Sequence, residues 1–115
     1  MLAYMLTLTM NWTINYFNKN VQAEIENLPV GIYADYVRLI DLMIAHGANL
    51  RLPHSRAMGN GLFELRCKGR EGIGRVFYCT VCGNEIVMLH SFVKKTQKTP
   101  KRELDIAIAR LKEVK

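Results

Sequence analysis

The sequence is poor in cysteine and proline, with three of each among 115 residues. An odd number of cysteines in a chain without an export signal argues against a disulfide framework, and we expect reduced thiols. Cys79 and Cys82 have a CxxC spacing. Residues three apart in an extended strand point to opposite faces, however, which argues against a zinc site. The cysteines are therefore not expected to stabilise the fold.

Long apolar runs are also missing. The longest apolar stretch, residues 1–10, is interrupted by threonines and reaches barely half of the ~20 residues that a membrane span needs. No basic residue precedes its apolar part and no small-residue cleavage site follows it, so it does not resemble a secretory signal. We expect a cytoplasmic protein with no membrane partner. Residues 1–9 are expected to be an extension or a mis-assigned start, and residues 10–115 a single domain.

The motifs of several enzyme classes are absent. The chain has no GxxxxGK(S/T), HExxH or GxSxG motif, so ATP hydrolysis, zinc proteolysis and serine hydrolysis have no support. Residues 51–102 contain three scattered acidic residues, whereas a two-metal nuclease needs clustered carboxylates. Any nuclease activity is therefore expected to proceed without a metal, and no cofactor is expected.

Positive charge is concentrated in one part of the chain. The formal net charge is +6 and the pI is about 9.4. Residues 1–50 carry two basic and four acidic side chains, whereas residues 51–102 carry eleven basic and three acidic ones, a net charge of +8. This distribution favours a polyanionic partner bound by residues 51–102, although an ordinary solvated surface would have the same composition.

Hydrophobic periodicity predicts a small α+β fold in the order β-α-α-β-β-β-α. Alternation from Trp12 predicts a first strand, and apolar stripes predict a helix that stops at Pro29 and a longer one that ends at Gly47. An antiparallel meander with Gly-containing turns is predicted at residues 62–67, 73–81 and 86–93. Thr99 is the expected N-cap of a last amphipathic helix. We expect a mainly antiparallel sheet of about four strands, with two N-terminal helices and one C-terminal helix on one side.

RNA cleavage is a metal-free reaction that these residues could support, because RNA carries its own nucleophile in the 2′-hydroxyl. The protein must align that hydroxyl, stabilise charge on the phosphate and move two protons. Arg66 and Arg75 suit the second task, since a guanidinium is always charged and matches phosphate oxygens. Lys94 and Lys95 are adjacent, where crowding by cations favours the neutral amine that acid–base work needs. His90 lies in an apolar strand and is expected to be a hydrogen-bonded core residue.

Four segments carry a family resemblance, namely LPHSR at 52–56, GLFELR at 61–66, GRVFY at 74–78 and HSFVKKTQKTP at 90–100. They resemble the RelE/ParE superfamily of toxins, most nearly the phage-derived HigB-type branch of type II toxin–antitoxin systems. The resemblance extends over the chain after Met10. It implies a RelE-like α+β fold and a cognate antitoxin, often of helix-turn-helix type. It also implies cleavage of ribosome-bound mRNA without a metal, by basic residues on the sheet.

Transferred to this chain, the resemblance implies catalytic roles for Arg66, Arg75 and Lys95. It implies RNA contacts at a further set of residues, Lys68, Arg70, Phe92, Lys94 and Lys98. RelE-type enzymes often have a C-terminal tyrosine near the site, but no tyrosine follows Tyr78 here. Phe92 could stack on a base but cannot transfer a proton, so the general acid and base stay open.

Two other functions stay open at this point. A ParE-like toxin of the same fold would bind DNA gyrase without nuclease activity, and a basic module could bind RNA without catalysis. The combination of Arg66, Arg75 and the Lys94-Lys95 pair favours the nuclease, because a gyrase-binding surface has no need of convergent phosphate ligands.

Overall fold

The computed structural model describes residues 12–94 and 98–115. Residues 1–9, expected to be an extension, lie outside this part of the chain. In chain order the elements are β1 Thr13–Tyr16, α1 Lys19–Glu26, α2 Val30–His46, β2 Ser55–Gly59, β3 Leu62–Gly69, β4 Gly72–Val81, β5 Glu85–Lys94 and α3 Lys101–Val114. The described helices include none that is long and apolar enough to cross a bilayer.

The five strands form one sheet in the order β1-β5-β4-β3-β2. β1 runs parallel to β5, and every other neighbouring pair is antiparallel. The α+β class and the predicted β3–β4 and β4–β5 hairpins are therefore confirmed. The turn between β3 and β4 holds two residues, Arg70 and Glu71, and this short connection sets the register that places Arg66 opposite Arg75.

β2 was not predicted, so the expected count of about four strands is short by one. Its sequence, SRAMG, contains no β-branched or aromatic residue and has little strand propensity of its own. Pairing with β3 supplies the stability, through a turn in which Asn60 and Gly61 have φ angles of 57° and 84°. Asn-Gly is a strong hairpin signal because both central positions need a left-handed backbone. That dipeptide, rather than propensity, was the available signal for β2.

Helices cover both faces of the sheet, so the expectation that all helices lie on one side is wrong. α1 and α2 pack on one face in a core that includes Ile25, Leu39 and Tyr78. α3 packs on the other face, where Phe77 and Leu111 belong to a second core. The reason is that successive residues of β4 are buried on opposite faces, and a strand that is apolar on both faces needs a covering layer on each.

The β3–β4 turn is anchored to the N-terminus of α2. Glu71 Oε2 accepts a hydrogen bond from the Gly31 N–H at 3.0 Å, and backbone hydrogen bonds, above all this one, lower the pKa of Glu71. The contact is close enough that a Cβ at Gly69 would lie 2.5 Å from the backbone of Gly31 and Ile32. Glycine at Gly69 therefore lets the hairpin that carries Arg66 and Arg75 dock directly on the helix end.

The start of α3 differs from the expectation that Thr99 is its N-cap. Pro100 occupies the N-cap position and no side chain caps the helix. The Thr99 hydroxyl instead donates a hydrogen bond to Glu64 Oε2 at 2.9 Å. Further along, Arg110 Nη1 donates to the Leu89 carbonyl at 2.8 Å. These contacts fix α3 across the sheet face on which the candidate site lies.

Candidate functional site

A buried carboxylate lies at the centre of the candidate site. Glu64, in β3, is fully buried. Its Oε1 accepts hydrogen bonds from Arg75 Nη1 at 2.5 Å and from Arg56 Nη2 at 3.3 Å, while its Oε2 accepts the bond from Thr99. These partners belong to β4, to β2 and to the segment before α3. The carboxylate thus connects four parts of the chain.

Strand alternation explains which side chains meet. Glu64 and Arg66 share one face of β3, while Leu65 and Cys67 lie on the other face in the core with α1 and α2, as the period of two in a strand requires. The ladder places Arg66 opposite Arg75 and Arg56 opposite Glu64. We call Arg56, Arg66 and Arg75 the arginine cluster. Arg56 and Arg75 donate hydrogen bonds to the Glu64 carboxylate, and Arg66 adds a third positive charge opposite Arg75, which leaves the cluster with excess positive charge.

Burial sets the electrostatics of the arginine cluster. Arg75 is 5% exposed, whereas Arg66 is half-buried. Burial lowers the pKa of Arg75 and the neighbouring Glu64 opposes this shift, so the guanidinium stays charged. Within residues 12–94 and 98–115, the Nε atoms of Arg66 and Arg75 are buried without a hydrogen-bond partner. An unpaired buried donor costs about 1–3 kcal/mol, and an anion that accepts these hydrogen bonds would remove that cost.

A histidine–carboxylate pair lies on the same face. His90 is 8% exposed, and its Nε2 lies 2.6 Å from Oε1 of Glu103 in the first turn of α3. The expectation that His90 is a hydrogen-bonded core residue is confirmed. Two residues further along β5, Phe92 lies opposite Arg75 in the ladder and stacks on Phe77 and His90, with ring centroids 5.8 and 6.3 Å apart. The ring of Phe92 is half-buried and keeps part of its surface free.

The structure brings some of the expected site residues together and leaves others apart. Arg66, Arg75 and Phe92 are neighbours in adjacent strands. The remaining residues lie at the margin: Lys68 is exposed near the end of β3, Arg70 is exposed in the β3–β4 turn, Lys94 is the last residue of β5 and Lys98 is exposed before α3. Lys95 lies outside the described residues.

Four residues of the site were missed from the sequence, namely Arg56, Glu64, Thr99 and Glu103. Glu64 counted only as one of three scattered acidic residues. The available signal was its position, because a charged residue that alternates with apolar ones in a strand shares a face with Arg66. Arg56 could not be placed without β2. The contacts of Thr99 and Glu103 depend on how α3 crosses the sheet, which no local pattern specifies.

The thiols do not converge. Cys67 lies in the core against α1 and α2, Cys79 lies in the core against α3, and Cys82 is exposed in the β4–β5 turn. Burial raises the pKa of Cys67 to about 12 and also raises the pKa of Cys79, so both stay protonated and are poor metal ligands. In the part of the chain that the structure describes, no three His, Cys, Asp or Glu residues are grouped for metal binding.

Comparison with known proteins decides the family. A sequence model of the family described as Phage derived protein Gp49-like (DUF891) matches residues 23–112, which include the arginine cluster and the His90–Glu103 pair. The chain belongs to the Gp49-like family. The Gp49-like proteins are a phage-derived family of RelE/ParE-like toxins, so the resemblance to that superfamily is confirmed at this level. No curated protein matches the chain.

Proposed function

We propose that this Gp49-like protein is the HigB-type toxin of a type II toxin–antitoxin system. We propose further that it is a metal-independent endoribonuclease that cuts ribosome-bound mRNA and so inhibits translation. The observation that supports this best is the arginine cluster, whose buried, unpaired Nε atoms lie on one sheet face together with a histidine–carboxylate pair. Charge stabilisation and proton transfer are the two tasks that metal-free RNA cleavage requires of the protein.

The arginine cluster would hold the scissile phosphate. In this reaction the 2′-hydroxyl oxygen attacks phosphorus and the bond to the 5′-oxygen breaks, which leaves a cyclic phosphate and a 5′-hydroxyl. Arg66 and Arg75 stabilise the charge that builds on the phosphate oxygens. Glu64 acts as a positioning residue, because its hydrogen bond to Arg75 Nη1 leaves the Nε edge of that guanidinium available for the phosphate.

His90 is the best-placed described side chain for a proton transfer. An imidazole ring can both accept and donate a proton, and Glu103 Oε1, 2.6 Å from Nε2, fixes the orientation of the ring. Lys95 keeps the catalytic role that the resemblance implies. The proposed RNA contacts are the set already named from the resemblance, Lys68, Arg70, Phe92, Lys94 and Lys98.

The proposed partners follow from the proposed activity. An antitoxin of helix-turn-helix type would neutralise the toxin, and the ribosome would present the mRNA. A cytoplasmic location is part of the proposal, and a ribosome-bound substrate and the free cysteines support it. Residues 10–115 would act as a single toxin domain, and no cofactor is needed for the reaction.

The experiment is induced expression in bacteria that lack the antitoxin, with mapping of new 5′ ends on mRNA and of gyrase-linked DNA breaks. Arg66→Ala is the main variant: Arg66 is half-buried and, among the residues that the structure describes, its Nε has no hydrogen-bond partner, so its loss should leave the fold intact. Removing one charge-stabilising donor costs roughly 100-fold in rate or more. Lys112→Ala is the matched control, since Lys112 is an exposed cation beside Leu62, at the far end of β3.

Cuts confined to translated frames, lost in Arg66→Ala and kept in Lys112→Ala, would support the nuclease. Broken DNA with intact mRNA would contradict the nuclease and support the ParE-like inhibition of DNA gyrase. If the cells grow with intact mRNA and intact DNA although they contain folded protein bound to RNA, the protein is a non-catalytic RNA-binding module. Cuts that persist in Arg66→Ala would show that the arginine cluster is not the site.

A further inference from the structure

A second cationic site lies at the edge of β3, where β2 stops. Pairing with β2 begins at Ser55 and Leu65, and the Arg66 N–H donates to the His54 carbonyl at 2.8 Å. Beyond this point the Lys68 N–H donates instead to Asp35 Oδ2 at 2.7 Å. A cavity of about 140 Å³, which we call the edge cavity, opens here and is lined by Asp35, Arg38, Pro53, His54, Arg66 and Lys68.

The charged side chains that line the edge cavity are three cations and the Asp35 carboxylate, beside Pro53 and His54. Both carboxylate oxygens of Asp35 are engaged, Oδ2 by the Lys68 N–H and Oδ1 by Arg38 through Nε at 2.9 Å and Nη2 at 2.8 Å. Within residues 12–94 and 98–115, the exposed Lys68 ammonium has no hydrogen-bond acceptor. The cavity therefore holds three cations and one carboxylate. Arg38 neutralises Asp35, so the positive charges of Arg66 and Lys68 remain in excess.

We propose that the edge cavity binds a second phosphate of single-stranded RNA, next to the phosphate held by the arginine cluster. This inference rests on the proposed function. A phosphate suits the cavity better than a nucleobase, because a phosphate only accepts hydrogen bonds whereas a base edge presents donors as well as acceptors. A base in the cavity would find its donors facing Arg38, Arg66 and Lys68.

The position of the edge cavity supports the same ligand. Arg66 borders both the edge cavity and the arginine cluster. Arg66 and Lys68 are two residues apart on β3, about 6.6 Å along the strand. One RNA backbone can therefore contact both sites as it passes over the edge of the sheet towards α2. Arg38 reaches this path from α2, in the half of the chain with net negative charge, and no sequence pattern pointed to it.

The test measures RNA binding by the purified full-length chain. The probe is a fluorescent single-stranded RNA with 2′-O-methyl sugars, which cannot be cleaved through the 2′-oxygen. The slope of log K against log salt is negative, and each phosphate neutralised in a single strand makes it steeper by about 0.7. We expect Arg38→Ala and Lys68→Ala each to make this slope shallower by up to about 0.7, and Lys112→Ala to leave it unchanged.

Arg38→Ala and Lys68→Ala each remove one cation from the edge cavity, but with different effects on Asp35. Arg38→Ala leaves Asp35 without its counterion, whereas Lys68→Ala keeps the backbone bond to Asp35 and removes only the ammonium. A slope unchanged in both variants would overturn the phosphate site. In a cleavage assay, Arg38→Ala should raise KM with kcat kept, because the second phosphate is held equally in the ground and transition states.

The outcomes separate this inference from the proposed function. If the wild type cuts mRNA and both Arg38→Ala and Lys68→Ala bind RNA with the salt slope of the wild type, the edge cavity is not a phosphate site but the proposed nuclease function stands. If the wild type binds RNA with a slope that depends on Arg38 but cuts no mRNA, the nuclease fails and the phosphate site stands. A wild-type chain that does not bind the RNA at low salt overturns the phosphate site whatever the cells show.

Discussion

Replacing Arg75 with alanine should destabilise the fold as well as remove a phosphate ligand. Arg75 is 5% exposed, and its Nη1 lies closer to the Glu64 carboxylate than Arg56 does, at 2.5 against 3.3 Å. Removing one partner of a buried ion pair costs about 3–5 kcal/mol, because the other charge stays buried without its counterion. Arg56 and Thr99 still contact Glu64, so we expect the lower end, about 3 kcal/mol. For a chain of this size that lowers the Tm by roughly 10 °C.

Urea unfolding followed by circular dichroism measures the effect. Arg66→Ala is the control, because it removes the same side chain from the adjacent strand without leaving a carboxylate unpaired, and should cost within about 1 kcal/mol. Glu64→Leu in the Arg75→Ala background removes the stranded charge, so the double variant should be more stable than Arg75→Ala alone and the two single effects should not add. An Arg75→Ala variant as stable as Arg66→Ala would refute the reasoning.

This expectation changes how toxicity data should be interpreted. Lost toxicity in Arg75→Ala alone would not distinguish a missing phosphate ligand from a weakened fold. Arg66→Ala separates the two, since in the described part of the chain the Arg66 Nε has no hydrogen-bond partner that its loss would leave unpaired. Arg75→Lys is the complementary variant, because it keeps a positive charge near Glu64 but loses the planar fork that matches phosphate oxygens.

Two further predictions concern ionisable groups away from the arginine cluster. Glu71→Gln should lower the Tm near neutral pH. The difference in Tm between this variant and the wild type should shrink as the pH falls below 4.5. The reason is that a carboxylate whose pKa is lowered in the folded state stabilises the fold above its unfolded pKa of about 4.5, and this stabilisation is lost when the carboxylate is protonated. Melting curves from pH 3 to 7 check this, and a difference independent of pH would contradict it. An aromatic disulfide reagent should label one thiol of the folded chain, Cys82, and three in denaturant, because Cys67 and Cys79 are buried and their raised pKa values keep them as thiols. Cys82→Ser should abolish the native labelling, and fast reaction of two or more thiols would contradict the burial.

Part of the candidate site follows from local pattern. Alternation along β3 puts Glu64 and Arg66 on one face, since the strand period is two. The two-residue turn between Gly69 and Gly72 then brings Arg75 opposite Arg66. Alternation was enough to predict the first step, whereas the sequence predicted a hairpin with a Gly-containing turn but not the register that pairs Arg66 with Arg75. The environment of Arg75 was different, because its burial and its bond to Glu64 depend on packing that alternation does not describe.

The sequence by itself determined the order of the helices, the antiparallel meander and the shared face of Glu64 and Arg66, because periodicity and turn chemistry act over a few residues. The tertiary structure alone decided the remainder. β2 becomes a strand because β3 is there to pair with it, and α3 lies on the opposite face from α2 because β4 is apolar on both sides. The bonds of Glu64, the His90–Glu103 pair and the edge cavity join residues that are far apart in the chain. Whether such distant side chains meet depends on how the helices and sheet pack together, and no local pattern records that.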